Sequence, residues 1–175
     1  MAIAKKKILA WMLGAGLLAA AGGQAMAETT TGNLGVSITV PPTCTLFTRP
    51  LLFASRTFIT AAVDNATTLS MQCSIGTFYY LTIGLGANST GTPPVRRMAS
   101  GTGEFINYEL YTNVTRTTHW LSAVATAPTA AQPVAGAPSA TGTGLNQNFI
   151  VYGRVPLQNA VPGNYTDSVV VTVTY

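Results

Sequence analysis

Charged side chains are scarce in this chain. Only 8% of its 175 residues are Asp, Glu, Lys or Arg, and a single histidine is present. All three lysines lie at positions 5–7, so the remainder carries six arginines against five carboxylates. No basic stripe is left there, and this argues against nucleic acid as a partner.

The residues needed for catalysis are equally sparse. The carboxylates form no paired acid/base arrangement, and no glycine-rich turn leads into a helix. His119 stands beside Trp120 in a threonine-rich stretch, with Glu104 and Glu109 as its possible acidic partners. No nucleophile motif lies near it, so we interpret His119 as a surface or half-buried loop residue. We expect no enzymatic activity, no cofactor and no bound metal.

The first 27 residues have the features of a secretory signal. Lysines at 5–7 precede an apolar run over residues 8–21, and Ala25-Met26-Ala27 provides a small-x-small cleavage site. We therefore expect a mature chain that starts at Glu28. A retained membrane anchor is the alternative, but the apolar run is shorter than the roughly 20 residues that span a bilayer.

The chain has only two cysteines, Cys44 and Cys73. In an exported protein a disulfide is the default for such a pair. It would close a loop of about 30 residues and contribute about 3 to 4 kcal/mol in the chain-entropy model. A metal pair or a reactive thiol is the rival interpretation, and it lacks a second cluster of ligands.

Beyond the signal, helical periodicity is absent and short β-rich runs alternate with turn residues. This pattern is typical of an all-β sandwich or barrel, here in a single domain. We interpret residues 86–103 as a long turn-rich connection and residues 123–144 as an exposed loop. The predicted core strands are 44–47, 50–53, 66–73, 77–85, 105–111, 148–156 and 165–175.

A further alternating segment precedes these strands. Leu34, Val36, Ile38 and Val40 occupy every second position, with small or polar residues between them. One edge of such a ribbon is continuously apolar, because successive side chains of a strand point to opposite faces. The ribbon needs a groove, either in its own domain or in a neighbouring copy. Proline at 41 and 42 ends its pairing.

A series of short motifs runs along nearly the whole chain after the signal: the leader from Thr31 to Ile38, Cys44, Pro50 to Phe53, Leu69 to Cys73, Tyr80 to Leu85, Arg97-Met98, Tyr108 to Tyr111, Val151 to Arg154 and Gly163 to Tyr175. The order of these motifs resembles the spore coat protein U domain family, which includes subunits of archaic, Csu-type chaperone–usher pili. One departure is Phe53-Ala54-Ser55-Arg56, where the family commonly has Phe-Gly and an aromatic residue; it concerns a local turn.

The resemblance implies an immunoglobulin-like β-sandwich that lacks one strand and is completed by donor-strand exchange, with one intradomain disulfide. Residues 28–41 would form the donor strand and residues 42–175 the pilin domain. The implied donor residues are Leu34, Val36, Ile38 and Val40, and one face of the last strand, with Val169, Val171, Val173 and Tyr175, would form a wall of the acceptor groove.

The implied function is that of a structural subunit in a fibre for surface attachment and biofilm formation. Its partners would be a periplasmic chaperone, an outer-membrane usher and neighbouring subunits joined head to tail. The protein would pass through the periplasm to an extracellular pilus.

Two other functions stay open at this stage. The leader of a self-complemented secreted coat protein would fold back into its own groove. A minor or adaptor subunit would bind sugar or a hydrophobic surface through an exposed loop such as 123–144. The short spacer Pro41-Pro42-Thr43 favours a leader that reaches outward.

Overall fold

A computed structural model describes residues 26–120, 122 and 136–175, so the predicted signal lies almost wholly outside the described residues. The chain divides into two compact units, Met1–Ile38 and Thr39–Tyr175. In the described part of the first unit, residues 26–38, all side chains are exposed and none belongs to a strand. A search of the described ranges finds no helix with the length and apolar character to cross a membrane.

The described part of the second unit contains nine β-strands and no helix. Every ladder between them is antiparallel, in one sheet with the order β1-β2-β7-β5-β4-β8 and another with the order β6-β3-β9. The all-β sandwich expected from the sequence is confirmed. The strands are β1 Cys44–Phe47, β2 Val63–Cys73, β3 Phe78–Ile83, β4 Arg96–Ser100, β5 Phe105–Tyr111, β6 Ser139–Thr141, β7 Asn146–Val155, β8 Tyr165–Thr166 and β9 Val171–Thr174.

The core follows the two-residue period of the strands. Alternate apolar side chains of β2, β5 and β7 face inward, as a strand with one face packed requires. Strand β3 differs, because Tyr80 and Thr82 are as buried as the core-facing Tyr79 and Leu81. The inward residues of the large sheet include Leu69, Met71, Cys73, Ile106, Tyr108, Leu110, Val151 and Val155.

Several predicted boundaries were wrong. Residues 50–53 form no strand, and the supposed connection 86–103 contains β4. The predicted strand 165–175 is two strands, because the chain passes from one sheet to the other between β8 and β9. Within the predicted loop 123–144, residues 136–144 include β6, whereas residues 123–135 lie outside the described part of the chain.

The predicted disulfide between Cys44 and Cys73 is present, with an S–S distance of 2.07 Å. The two residues are direct partners in the β1–β2 ladder, with Cα atoms 4.1 Å apart. The bond therefore ties the first strand of the domain to a strand that supplies core residues.

Asp64 on β2 is held by two arginines. Its carboxylate accepts two hydrogen bonds of 2.8 Å from Arg154, and Arg116 lies 3.3 Å away. The hydrogen bond from Arg154 lowers the pKa of Asp64 below its ordinary value, and burial acts in the opposite sense without cancelling it. A lowered folded-state pKa contributes stability above the ordinary value near 4, and this contribution is lost as pH falls below it.

We predict that Asp64→Asn lowers the free energy of unfolding at pH 7 by about 0.5 to 1 kcal/mol, the range of half-exposed ion pairs. The difference between variant and parent should shrink as the pH falls from 5 towards 2. Urea unfolding at several pH values measures it. A constant difference across this range would contradict the assigned ionisation.

Candidate functional site: an apolar groove beside the last strand

In the described part of the chain, the edge strands are β1 and β8 in the large sheet and β6 and β9 in the small one, and two of them, β1 and β9, adjoin an open groove. Among the described residues, β1 pairs only with β2, and β9 pairs only with β3. Exposed strand edges present free backbone N–H and C=O groups, and natural proteins seldom leave them uncovered. The open groove crosses the sandwich between the segment that follows β1 and the segment that leads into β9.

The groove has two adjoining parts. The first, of about 570 Å³, lies between residues 46–53 and residues 165–171. The second, of about 910 Å³, continues from it between residues 51–60 and residues 158–166. Both are lined mainly by apolar side chains.

The groove floor is the hydrophobic core itself. Leu69, Leu110 and Val151 line the first part, and Val63 and Ile106 line the second. These residues belong to the large sheet, so along the groove the second layer of the sandwich is missing. A further strand laid in the groove would complete that layer.

One wall is an irregular segment that packs closely on β7. Leu51 and Phe53 lie over Gly153, where a side-chain Cβ would overlap both of them. Asn65 donates a hydrogen bond to the carbonyl of Leu52 and fixes the same segment to β2. Residues 50–53, predicted as a strand, therefore act as a wall without a ladder of their own.

The other wall contains the predicted groove residues in part. Val169 and Val171 line the groove and are half-buried. Val173 is half-buried and packs on the core, and Tyr175 is 46% exposed. Val170, which the sequence predicts to point away from the face of Val169 and Val171, is 70% exposed. The role of these residues as an acceptor wall stays a prediction.

Asp167 fixes the point at which this wall crosses between the sheets. Its Oδ1 accepts hydrogen bonds of 3.0 Å from the Ala87 backbone N–H and from the Asn88 side chain. Its Oδ2 accepts a 2.6 Å bond from the Tyr108 hydroxyl. Burial and this hydrogen bond to Asp167 raise the pKa of Tyr108 above its ordinary value.

Arg96 is the most buried charged residue described. The residue is 3% exposed. Its guanidinium donates to the carbonyls of Ile83 at 2.8 Å and Gly84 at 3.0 Å, and it lies 3.5 Å from the Glu109 carboxylate. Burial lowers the pKa of Arg96. The guanidinium thus satisfies the carbonyls where β3 ends, next to the loop that contacts Asp167.

The sequence gives no signal for this burial, because Arg96 and Arg97 lie within residues 86–103, which were interpreted as a turn-rich connection and in fact contain β4. Arg97 lies over the ring of Phe105, 4.1 Å from its centroid, and donates to the carbonyl of Asn88. His119 has the predicted loop position and a half-exposed side chain, 3.3 Å from the carboxylate of Glu109.

The predicted donor residues are all exposed. Leu34, Val36 and Ile38 are 86–89% exposed and Val40 is 78% exposed. No residue of 26–43 belongs to a strand. Their role as a donor strand therefore stays a prediction.

The site as a whole offers recognition of an extended chain. The unpaired edge of β9 supplies backbone hydrogen-bonding groups, and the groove floor supplies apolar surface. In the described part of the chain, no three potential metal-ligating side chains lie together.

Comparison with known proteins confirms the family identified from the sequence. The chain belongs to the Spore Coat Protein U domain family, whose model matches residues 30–172. Protein U of Myxococcus xanthus is 36% identical over 113 residues, which are 61% of this chain and 58% of that protein. The chain thus spans less than two thirds of the length of this curated relative.

A solved structure shares the fold. It is the CsuC–CsuE chaperone–tip adhesion subunit pre-assembly complex from archaic chaperone–usher Csu pili of Acinetobacter baumannii. The superposition has a TM-score of 0.56 at 22% identity and covers 78% of this chain and 41% of the matched chain. This likeness supports the immunoglobulin-like sandwich.

Proposed function

We propose that this protein is a structural subunit of a chaperone–usher pilus, and that the leader of one copy fills the groove of the next. The observation that carries the proposal is the groove itself, which lies beside the free edge of β9 and reaches the core of the large sheet. The likeness to a Csu complex and the membership of the Spore Coat Protein U domain family support it.

The leader matches the groove in chemistry. Between Glu28 and Cys44 it has no charged residue, and its apolar positions alternate. Burial of Leu34, Val36 and Ile38 together with Val40, at about 1.5 to 3 kcal/mol for each side chain, would contribute roughly 6 to 12 kcal/mol before the cost of ordering. A new ladder along β9 adds backbone hydrogen bonds, as in other cases of strand addition.

The leader is long enough to run beside β9 and the segment that leads into it. Residues 34–40 and residues 167–173 are segments of equal length, each about 20 Å when extended. Since every ladder in this fold is antiparallel, we place the leader antiparallel to β9. In that orientation Leu34 lies near Val173 and Val40 lies near Asp167.

This orientation argues against a leader that folds back. Cys44 lies at the same end of the sandwich as Thr174, because Cys73 leads through a short turn into β3 and Tyr80 pairs with Thr174. A leader bound to its own groove would place Val40 about 20 Å away, at the opposite end. The four backbone steps from Val40 to Cys44 reach at most about 14 Å.

An inter-subunit contact of this kind does not close on itself. The donor and the groove are different surfaces, so each bound copy offers a free groove or a free leader to another, and a filament grows. We further propose that a periplasmic chaperone covers the groove before assembly and that exchange takes place at an outer-membrane usher. The signal at residues 1–27 would direct export, and the fibre would serve attachment and biofilm formation.

The test uses the mature chain from Glu28, refolded and concentrated, beside a chain that lacks residues 28–41. We expect the complete chain to form a ladder of oligomers that survives mild denaturant. The shortened chain should stay monomeric and gain thermal stability when a synthetic peptide of residues 28–43 is added. An identical ladder from both chains, or no response to the peptide, would contradict the proposal.

A further inference from the structure

We propose that Asp167 is a positioning residue for strand capture, which holds the crossing segment of the groove wall in the geometry that an incoming leader needs. The inference rests on the proposed function, because it assigns a role within the same groove. The proposed function identifies the strand that the groove binds. The present inference concerns the rate at which the groove binds it.

The wall is weakest where it crosses between the sheets. Strand β8 pairs with β4 in the large sheet and β9 pairs with β3 in the small one, so residues 167–170 belong to neither ladder. Two backbone hydrogen bonds hold this stretch on its inner side, from Gly84 to Val170 and from Ala87 to Ser168. Its outer side faces the groove. Segments with few backbone hydrogen bonds open most readily.

The carboxylate of Asp167 supplies the missing restraint. It joins the crossing segment to the loop after β3 through Ala87 and Asn88, and to β5 through Tyr108. Three donors on one carboxylate form charge-assisted hydrogen bonds, which are about twice as strong as neutral ones. Asp167 lines the groove next to Ser168 and Val169, so the restraint acts on the segment that the leader would contact.

The loop is shaped around this carboxylate. Gly86 has φ +91°, and a Cβ there would overlap the Asp167 carboxylate. Glycine is thus required twice at this position, for its backbone conformation and for the space that the carboxylate occupies. Asn88 is fixed in turn by Arg97, which donates to its carbonyl.

Pre-organisation of this kind affects binding more than it affects the fold. A wall that is already ordered spares the incoming strand the entropy cost of ordering it. Loss of the restraint should therefore slow strand uptake even where the rest of the sandwich remains folded.

The experiment uses the full mature chain with Ile38→Asp as acceptor, so that its own leader does not compete. A fluorescent peptide of residues 28–43 is added, and its transfer into a complex that survives mild denaturant is followed in time. In this background we compare Asp167→Asn with Gly86→Ala, which removes the space for the carboxylate. Gly103→Ala is the matched control, since Gly103 has φ +85° and open space around its Cβ position.

We expect Asp167→Asn and Gly86→Ala each to slow peptide uptake about tenfold, equivalent to ~1.4 kcal/mol in the barrier. The uptake rate of Gly103→Ala should stay within about twofold of that of the acceptor. This control measures the effect of a side chain at positive φ where no carboxylate is displaced. Circular dichroism and the intact Cys44–Cys73 bond show whether each variant is folded.

The outcomes separate the two proposals. If the acceptor with native Asp167 takes up no peptide, the proposed function fails. If it takes up peptide and both variants match its rate, or if Gly103→Ala slows uptake as much as Gly86→Ala, the positioning role is overturned while the proposed function stands.

Discussion

Replacement of Ile38 by aspartate is expected to abolish the ladder of denaturant-resistant oligomers. Ile38 is one of the four residues proposed to enter the groove, and the mature leader otherwise has no charge after Glu28. The change removes about 1.5 to 3 kcal/mol of apolar burial. It also forces an unpaired carboxylate against an apolar floor, at a cost of several kcal/mol. Gel electrophoresis in mild denaturant measures the loss.

Ser37→Asp is the matched control. Adjacent positions of a strand point to opposite faces, so the same charge at 37 faces away from the floor and should leave the ladder largely intact. Equal effects at 37 and 38 would contradict the alternating contact.

The Ile38→Asp chain also provides a mixing test. It retains a groove while its leader is disabled, so it can occupy only one end of a filament. When it is mixed with the parent chain, we expect oligomers to become shorter as its proportion rises. If each leader filled its own groove, the added chain would leave the length distribution unchanged.

Loss of the disulfide is the second large effect that we predict. In the variant with both Cys44→Ser and Cys73→Ser, the free energy of unfolding should fall by about 3 to 4 kcal/mol in the chain-entropy model. The bond spans a sequence separation of 29 residues. Urea unfolding of the full mature chain, with and without the leader peptide, measures the change.

Loss of the disulfide should disturb the groove more than the rest of the fold. Within the described residues β1 has no strand neighbour other than β2, and β1 leads directly into the wall segment 50–53. The disulfide is therefore the covalent link between this side of the groove and β2. We therefore expect the double variant to bind the leader peptide more weakly. Reducing agent should reproduce both effects in the parent and change nothing in the variant; sensitivity of the variant to reductant would contradict this assignment.

The regular parts of this fold follow from the sequence. Strand β5 was predicted with its observed bounds, Phe105–Tyr111, from the alternation of its side chains; Ile106, Tyr108 and Leu110 are buried as this pattern predicts, and Tyr111 at the end of the strand is buried as well. The disulfide was also predicted, from two cysteines in a chain whose first 27 residues are interpreted as an export signal. Each of these features depends on local pattern or on composition.

The missed features depend on tertiary contacts. Residues 50–53 are apolar enough for a strand, yet they pack as an irregular wall because Gly153 allows their side chains to approach β7 closely. Arg96 resembles a surface residue until the carbonyls of Ile83 and Gly84 are seen to surround it. The division of the last strand at Asp167 likewise depends on donors from distant parts of the chain.

The family resemblance implies an acceptor groove with Val169, Val171, Val173 and Tyr175 as one wall. In the structure Val169 and Val171 line the groove, Val173 packs on the core and Tyr175 is 46% exposed, and their role as an acceptor wall stays a prediction. The contribution of Asp167 had no signal beyond a single acidic residue before an alternating valine run, so its partners became visible only in three dimensions.

Cryo-electron microscopy of oligomers formed by the mature chain tests the central claim most directly. We predict that the groove beside β9 holds an extended strand, residues 34–40, whose density continues through Pro41-Pro42-Thr43 into Cys44 of a neighbouring subunit. Density that leads instead into Cys44 of the same subunit, or a groove closed by other residues of its own chain, would contradict it.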